Sequence, residues 1–192
     1  MDKKDIIAFF DELAPCWDKT NVRNEEVISE ILRKGGVRKG AKVLDIACGT
    51  GVLFPDYESL GAEFVGIDIS ENMVKKAREK FPEAEVICGD ATTYDFSSDF
   101  DAVMIYNAFP HFDEPQRLIE NLAKSLKKSG RLSIAHGISE KELEKCHSGS
   151  AKNISVPLVK KEVLAEMMKP YFEADVLISD ERMYMVSGVK KS

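Results

Sequence analysis

The stretch that decides the fold is Val43–Gly51, which reads Val-Leu-Asp-Ile-Ala-Cys-Gly-Thr-Gly. Its apolar first half is typical of a buried strand, and the glycines that follow predict a tight turn before a helix. Gly49 and Gly51 let the backbone approach a ligand closely, because glycine has no side chain in the way. The helix presents free N–H groups at the same point. We therefore expect a ligand site where this strand ends.

A second predicted strand, Glu63–Asp68, ends on a carboxylate 19 residues after Gly49. A carboxylate at an exposed strand end in this position can accept hydrogen bonds from both hydroxyls of an adenosine ribose. Such charge-assisted hydrogen bonds contribute roughly 1.5 to 3 kcal/mol each. The glycine turn and Asp68 together indicate a ligand that contains adenosine.

A nicotinamide or flavin dinucleotide is the first alternative ligand. Its usual fingerprint has a third glycine, and this chain has Phe54 there, which hinders pyrophosphate binding at the helix start. Asp45 also fits a cationic ligand better, since a carboxylate near the loop repels a diphosphate and attracts an ammonium group. S-adenosylmethionine (SAM) carries an ammonium group and no phosphate, so SAM is the favoured ligand.

From Lys42 onward, short apolar runs alternate with helical segments, which is typical of βαβ units around a mostly parallel sheet. Ser70 is predicted to cap one helix, Asp113 to cap another, and Gly130 to stop that second helix. The predicted strands are Lys42–Ala47, Glu63–Asp68, Glu85–Cys88, Phe100–Tyr106, Arg131–His136, Phe172–Ile178 and Met183–Val189. The predicted helices are Asp2–Leu13, Asn24–Lys34, Leu53–Leu60, Glu71–Lys80, Glu114–Lys127, Lys141–Lys145 and Val159–Lys169.

The order of these motifs resembles that of the class I SAM-dependent methyltransferases. Asp45–Gly51 looks like their first motif, Asp68 like their ribose-binding acid, and Gly89–Ala91 like the motif whose acid accepts the adenine amino group. Phe100–Asn107 and Gly130–His136 resemble their fourth and fifth strands. The resemblance implies a Rossmann-like three-layer α/β sandwich with a mostly parallel seven-stranded sheet, an antiparallel last strand and extra N-terminal helices.

The resemblance also implies SAM as cofactor, S-adenosylhomocysteine as product, and a set of cofactor-binding residues. This set is Asp45, Ala47, Cys48, Gly49, Gly51, Asp68, Ile69, Met73, Asp90, Ala91, Tyr106 and Asn107. We expect one domain over residues 1–192. Within it, residues 1–40 form a helical segment that covers the active site, residues 41–136 the cofactor-binding core, and residues 137–192 a C-terminal helix and strand pair.

The N-terminal segment Phe9–Asp18, with Asn21, is similar to the entry segment of ubiquinone and menaquinone biosynthesis methyltransferases. Trp17 stands where that family normally has a tyrosine, and the fourth-strand and later regions do not match it well. The resemblance therefore carries over the cofactor fold and not the quinone specificity. Trp17 and His111 are the expected substrate-binding residues.

Three histidines are candidates for a general base: His111, His136 and His147. His111 follows the predicted fourth strand and His136 ends the fifth, so both fall at the sheet edge where such folds bind ligands. A structural role is the competing interpretation for each of them. No metal site is expected, because nothing in the sequence shows that the three side chains converge.

Composition restricts the function classes. A net charge of -6 over 192 residues argues against nucleic acid, whose binding draws on a basic face. The chain has no apolar run near the roughly 18 residues of a membrane span and no secretory signal, so a cytoplasmic location is expected. The expected oligomeric state is a monomer or a homodimer. The four cysteines, Cys16, Cys48, Cys88 and Cys146, show no CxxC spacing and are predicted to be reduced.

The predicted function is methyl transfer from SAM to a small molecule by in-line displacement. One alternative is an RNA or protein methyltransferase, although Tyr106–Phe109 lacks the Asn/Asp-Pro-Pro-aromatic sequence associated with methylation of nucleic-acid amines. The other is a regulatory protein that binds SAM and transfers nothing. The acceptor atom is left open.

Overall fold

The computed structural model describes residues 2–20, 23–147 and 154–192, and the strands and helices below are those of these residues. The strands are β1 (Lys42–Ile46), β2 (Glu63–Asp68), β3 (Glu85–Cys88), β4 (Phe100–Tyr106), β5 (Leu126–His136), β6 (Phe172–Ser179) and β7 (Tyr184–Lys190). The helices are α1 (Lys3–Leu13), α2 (Trp17–Thr20), α3 (Glu25–Lys34), α4 (Phe54–Leu60), α5 (Glu71–Lys80), α6 (Pro115–Ser125), α7 (Glu140–His147) and α8 (Lys161–Met168).

The described strands form a seven-stranded sheet in the order β3-β2-β1-β4-β5-β7-β6. Strands β1 to β5 are parallel, β7 is antiparallel to β5, and β6 is antiparallel to β7. The predicted fold class is confirmed. The chain runs outward from β1 to β3 and then returns to β4 on the other side of β1. In open α/β sheets, ligands bind beyond the carboxyl ends of the strands at such a reversal.

Helices cover both faces of the sheet with buried apolar side chains. On one face, Leu118 and Leu122 of α6 and Leu164 of α8 are fully buried in a cluster with the sheet. On the other face, Val27 of α3 and Phe54 of α4 belong to a second cluster. Burying a large apolar side chain contributes about 1.5 to 3 kcal/mol to the free energy of unfolding. Because each cluster contains many such side chains, the helices and the strand ends are held in fixed positions.

The helix starts show which capping predictions hold. Ser70 caps α5 as predicted, because its hydroxyl accepts a hydrogen bond from the Met73 N–H. Asp113 does not cap α6. The residue before that helix is Glu114, whose side chain makes no capping hydrogen bond, and Pro115 opens the helix without needing an N–H partner.

The junction between α6 and β5 differs from the predictions of a helix to Lys127, a stop at Gly130 and a strand from Arg131. The helix ends at Ser125, and β5 begins at Leu126. The reason is tertiary: Leu126 is fully buried and pairs with Phe100 of β4, which extends the sheet through a register shift. Helix α2 and a short 3₁₀ helix at Phe109–His111 were not predicted.

Candidate active site

A cavity of about 1110 Å³, including its open mouth, lies beyond the carboxyl ends of β1 to β4. One end is lined by the last two residues of β2 and by residues that follow β1, β2 and β3: Ala47, Cys48, Gly49, Val52, Ile67, Asp68, Ile69, Met73, Gly89, Asp90, Ala91 and Thr92. The other end is lined by Tyr106, the last residue of β4, and by residues that follow it: Asn107, Ala108, His111, Phe112 and Asp113. Helix α1 and the segment after it complete the wall with Lys3, Ile6, Phe10, Trp17 and Arg23.

The glycine turn after β1 has the geometry that its sequence predicts. Gly49 and Gly51 have φ angles of 55° and 82°, in the left-handed region that favours glycine. A Cβ at Gly51 would lie 2.7 Å from the Phe54 ring. Phe54 is fully buried among core aromatic residues and does not line the cavity. The centroid of its ring lies 4.7 Å from that of the Phe64 ring. The Phe54 side chain therefore packs the glycine turn against the hydrophobic core.

Asp68 ends β2 and holds the glycine turn in place. Its Oδ2 accepts a hydrogen bond from the Gly49 N–H at 2.8 Å, and its Oδ1 accepts one from the Ser70 N–H at 2.9 Å. Asp68 is only 8% exposed, so the expectation of an exposed strand end is wrong. Burial raises the pKa of Asp68 to about 6, against the opposing effect of these two hydrogen bonds.

Asp90 follows β3 and makes contacts with the N-terminal helix. Its Oδ2 accepts a hydrogen bond from the Lys3 Nζ at 2.8 Å, and its Oδ1 accepts one from the Thr92 N–H at 2.9 Å. Partial burial tends to raise the pKa of Asp90, but the Lys3 and Thr92 hydrogen bonds outweigh it and hold the pKa below its usual value. Sequence reasoning missed Lys3, which lies 87 residues from Asp90 along the chain.

Asp45 lies in β1 and does not line the cavity. Its side chain is 2% exposed and faces Tyr57 on the buried side of the strand. Burial raises the pKa of Asp45 well above its usual value, the Asp68 charge raises it further, and Tyr57 opposes both. The geometry therefore does not support the predicted direct attraction between Asp45 and a ligand ammonium group.

Polar contacts hold the N-terminal segment over the cavity. Asp11 of α1 accepts hydrogen bonds from the Ser70 hydroxyl at 2.5 Å and the Asn72 N–H at 3.1 Å. Asp18 of α2 accepts hydrogen bonds from Thr50 at 2.5 Å and from Lys80 at 2.8 Å. These contacts join the segment to both ends of α5 and to the glycine turn before α4.

Comparison with known proteins agrees with this arrangement. A family model described as a methyltransferase domain matches residues 44–134. The demethylmenaquinone methyltransferase of Renibacterium salmoninarum is 30% identical over 151 residues, which cover 70% of this chain and 60% of that protein. A Pyrococcus horikoshii protein of known structure has a TM-score of 0.72 and 25% identity, over 86% of this chain and 89% of that one.

Residues 44–134 are a methyltransferase domain, and the chain as a whole is similar to class I SAM-dependent methyltransferases. It spans only about 60% and 54% of the length of the first two relatives that it matches. In fold it also resembles a Haloferax volcanii putative methyltransferase complexed with the Trm112 activator, with a TM-score of 0.80 and 18% identity over 95% of this chain and 98% of that one.

The end of the cavity beyond β4 is mostly aromatic. The His111 ring lies 5.1 Å from the Phe10 ring, and the Phe10 ring lies 5.6 Å from the Trp17 ring. Sequence reasoning predicted Trp17 and His111 here but missed Arg23. The Arg23 guanidinium donates hydrogen bonds to Asp56, at 2.9 Å, and to the Val52 carbonyl.

The three histidines lie in different surroundings. His111 lines the cavity, and its Nδ1 lies 2.8 Å from the Ile154 carbonyl oxygen. His136 is fully buried, 6.0 Å ring to ring from Tyr184, and does not line the cavity. His147 ends α7, and its side chain lies outside the described residues, as does Asn21.

Among residues 2–20, 23–147 and 154–192, no group of three His, Cys, Asp or Glu side chains is placed to hold a metal ion. None of their helices has both the length and the apolar character that a membrane span requires.

Proposed function

We propose that this protein transfers the methyl group of SAM to a small-molecule acceptor. An acceptor lone pair attacks the methyl carbon, the carbon–sulfur bond breaks, and its electron pair returns to sulfur to give S-adenosylhomocysteine. The observation that carries the proposal is a continuous cavity that joins Asp68 and Asp90 at one end to Tyr106 and His111 at the other. Holding both reactants in one cavity can supply roughly 7 to 11 kcal/mol of the barrier.

The cofactor would occupy the end beyond β1, β2 and β3. Asp68 would accept the ribose hydroxyls, and Asp90 with the Ala91 N–H would bind the adenine edge. Ile69 and Met73 line the cavity between these carboxylates and would flank the adenine. The backbone of Ala47, Cys48 and Gly49 would face the methionine part of SAM, as the family resemblance implies, whereas Gly51 does not line the cavity.

His111 is the proposed general base for an acceptor that must lose a proton. The Ile154 carbonyl can only accept a hydrogen bond, so the Nδ1 of neutral His111 carries the proton. Nε2 then has the lone pair that takes a proton from the acceptor. General-base catalysis of this kind contributes about a hundred- to ten-thousand-fold.

A small acceptor is favoured because α1 and α2 lie over the cavity and leave an aromatic space beyond β4. Relatives named as demethylmenaquinone methyltransferases also support a small-molecule acceptor. The net charge of -6 argues against a nucleic-acid acceptor. We propose that the chain acts as one domain, as a monomer or homodimer in the cytoplasm.

Two measurements test the proposal. Calorimetry should show SAM and S-adenosylhomocysteine binding far more tightly than NAD, and tight NAD binding without SAM binding would exclude the proposed cofactor. SAM with a labelled methyl group, incubated with the protein and a small-molecule extract, should then give a labelled product. Binding without transfer to any extract would favour the regulatory alternative, and label in RNA or protein fractions would favour the polymer alternative.

A further inference from the structure

Residue 137 lies where β5 has ended, directly against the Tyr106 side chain. A Cβ built on Gly137 would lie 2.2 Å from the Tyr106 Oη and 3.1 Å from the Cζ. Gly137 does not have a positive φ, so a left-handed backbone is not the reason for glycine here. A Cβ at this position would instead meet the hydroxyl of a residue that lines the cavity.

Asn107 fixes the backbone on both sides of this contact. Its Oδ1 accepts a hydrogen bond from the Gly137 N–H at 2.9 Å, and its own N–H donates to the Ala135 carbonyl at 2.9 Å. It has a φ of 55°, which Asn tolerates better than most residues. The ends of β4 and β5 are thus joined next to Tyr106, and Gly137 cannot easily move away from the ring.

We propose that Gly137 and Asn107 are positioning residues that set the place of the Tyr106 ring and thereby the room for the methyl acceptor. The inference rests on the proposed function. A larger residue at position 137 pushes the Tyr106 hydroxyl, the far end of a flexible side chain, while the backbone stays in place. The ring then moves within the cavity at the end beyond β4. The end beyond β1, β2 and β3, which is proposed to bind adenosine through Asp68 and Asp90 and is called the adenosine end below, is unaffected.

The contact distances define a rescue experiment. The Oη is the atom that a Cβ would approach to 2.2 Å, whereas the Cζ at 3.1 Å requires a shift of only a few tenths of an ångström. Tyr106→Phe removes the Oη and keeps the ring. Gly137→Ala should therefore be harmful alone and well tolerated together with Tyr106→Phe. Tyr94→Phe is the matched control, because Tyr94 is exposed and does not line the cavity.

Methyl transfer into the extract is compared for the wild type, both single variants and the double variant. Gly137→Ala should lower transfer at least about tenfold, since a displacement near 1 Å in a site can reduce the rate about a hundredfold. Tyr106→Phe sets the reference rate for its own background, and adding Gly137→Ala to it should change transfer by less than about threefold. The affinity for S-adenosylhomocysteine should change by no more than about twofold when Gly137→Ala is added to either background.

Three results would overturn the inference: an equal loss of transfer from Gly137→Ala in both backgrounds, rescue by Tyr94→Phe, or a loss of cofactor affinity as large as the loss of transfer. If Gly137→Ala alone fails to fold, a folded and active double variant supports the inference, and an unfolded one overturns it. A wild type that transfers nothing contradicts the proposed function instead. In that case the melting temperatures of the wild type and the three variants test the contact. A fall in melting temperature caused by Gly137→Ala supports the inferred contact only if Tyr106→Phe relieves it.

Discussion

The two ends of the cavity are built in different ways. The end proposed for adenosine is formed where β1, β2 and β3 end, and these strands are close in sequence. Asp68 and Asp90 are its charged groups. The end proposed for the acceptor combines Trp17 and Arg23 with Tyr106, the last residue of β4, and His111, which follows that strand. A cofactor site can therefore be recognised from a local motif, whereas the acceptor site exists only after distant segments pack together.

The two carboxylates of the adenosine end also differ from each other. Burial raises the pKa of Asp68 to about 6, whereas hydrogen bonds from Lys3 and Thr92 hold the pKa of Asp90 below its usual value. Asp68 accepts hydrogen bonds from the backbone N–H groups of Gly49 and Ser70, whereas Asp90 also has an ammonium partner. Two acids with similar sequence roles thus respond differently to pH, because only one is compensated by a cation.

The strongest test of the division between the two ends is Asp68→Ala. Two charge-assisted hydrogen bonds of roughly 1.5 to 3 kcal/mol each correspond to a hundred- to ten-thousand-fold loss of affinity for S-adenosylhomocysteine. Calorimetry measures the dissociation constant, and circular dichroism checks that the variant is folded. An unchanged dissociation constant in a folded variant would remove Asp68 from the cofactor site.

His111→Ala tests the acceptor end. It should lower turnover by about a hundredfold and leave the affinity for S-adenosylhomocysteine within about twofold, because the adenosine contacts lie elsewhere. In the wild type, activity should rise with pH through the histidine range, and the substitution should remove that limb. Normal turnover with an unchanged pH profile would exclude His111 as the base. An equal loss of cofactor affinity would contradict the separation of the two ends.

The pKa of Asp68 predicts a pH effect confined to the adenosine end. Below pH 6 the carboxyl takes a proton and can no longer accept from both ribose hydroxyls, so affinity for S-adenosylhomocysteine at pH 5 should be about tenfold weaker than at pH 7.

The same shift has a defined sign for stability. The folded pKa exceeds the unfolded value near 3.9, so the folded state binds more protons, and the free energy of unfolding contributed by Asp68 falls as pH rises from about 4 to 6. Titration calorimetry and thermal melts of the wild type and Asp68→Asn measure both effects. The same pH dependence in Asp68→Asn would assign it to another group.

Lys3→Met should have the smallest effect. Its ion pair with Asp90 is partly exposed, with 35% and 24% of the two side chains accessible, and such pairs contribute up to about 1 kcal/mol. The melting temperature should fall by no more than about 4 °C, and the affinity for S-adenosylhomocysteine should change less than about fivefold. Lys4→Met is the control on the neighbouring exposed residue. A loss comparable to that of Asp68→Ala would make Lys3 a main cofactor contact.

The sequence by itself determined the parallel core and the adenosine end. Strands β2, β3 and β4 have the predicted bounds, and Ser70 caps α5. Gly49, Gly51 and Asp68 lie where their motif places them. These features depend on local periodicity, backbone freedom and short spacings, which a sequence shows directly. The roles of the site residues in binding and catalysis stay predictions.

Only the tertiary structure decided which distant side chains meet. It separated His111, at the cavity, from His136, in the core, although His111 follows β4 and His136 ends the neighbouring strand β5. The tertiary structure also leaves Asp45 outside the cavity lining. It begins β5 at Leu126, because the burial of Leu126 and its pairing with β4 override the local helical pattern. It also placed Lys3 on Asp90 and Gly137 against Tyr106. Such contacts depend on side-chain direction and on packing between segments far apart in the chain, which local spacing does not encode.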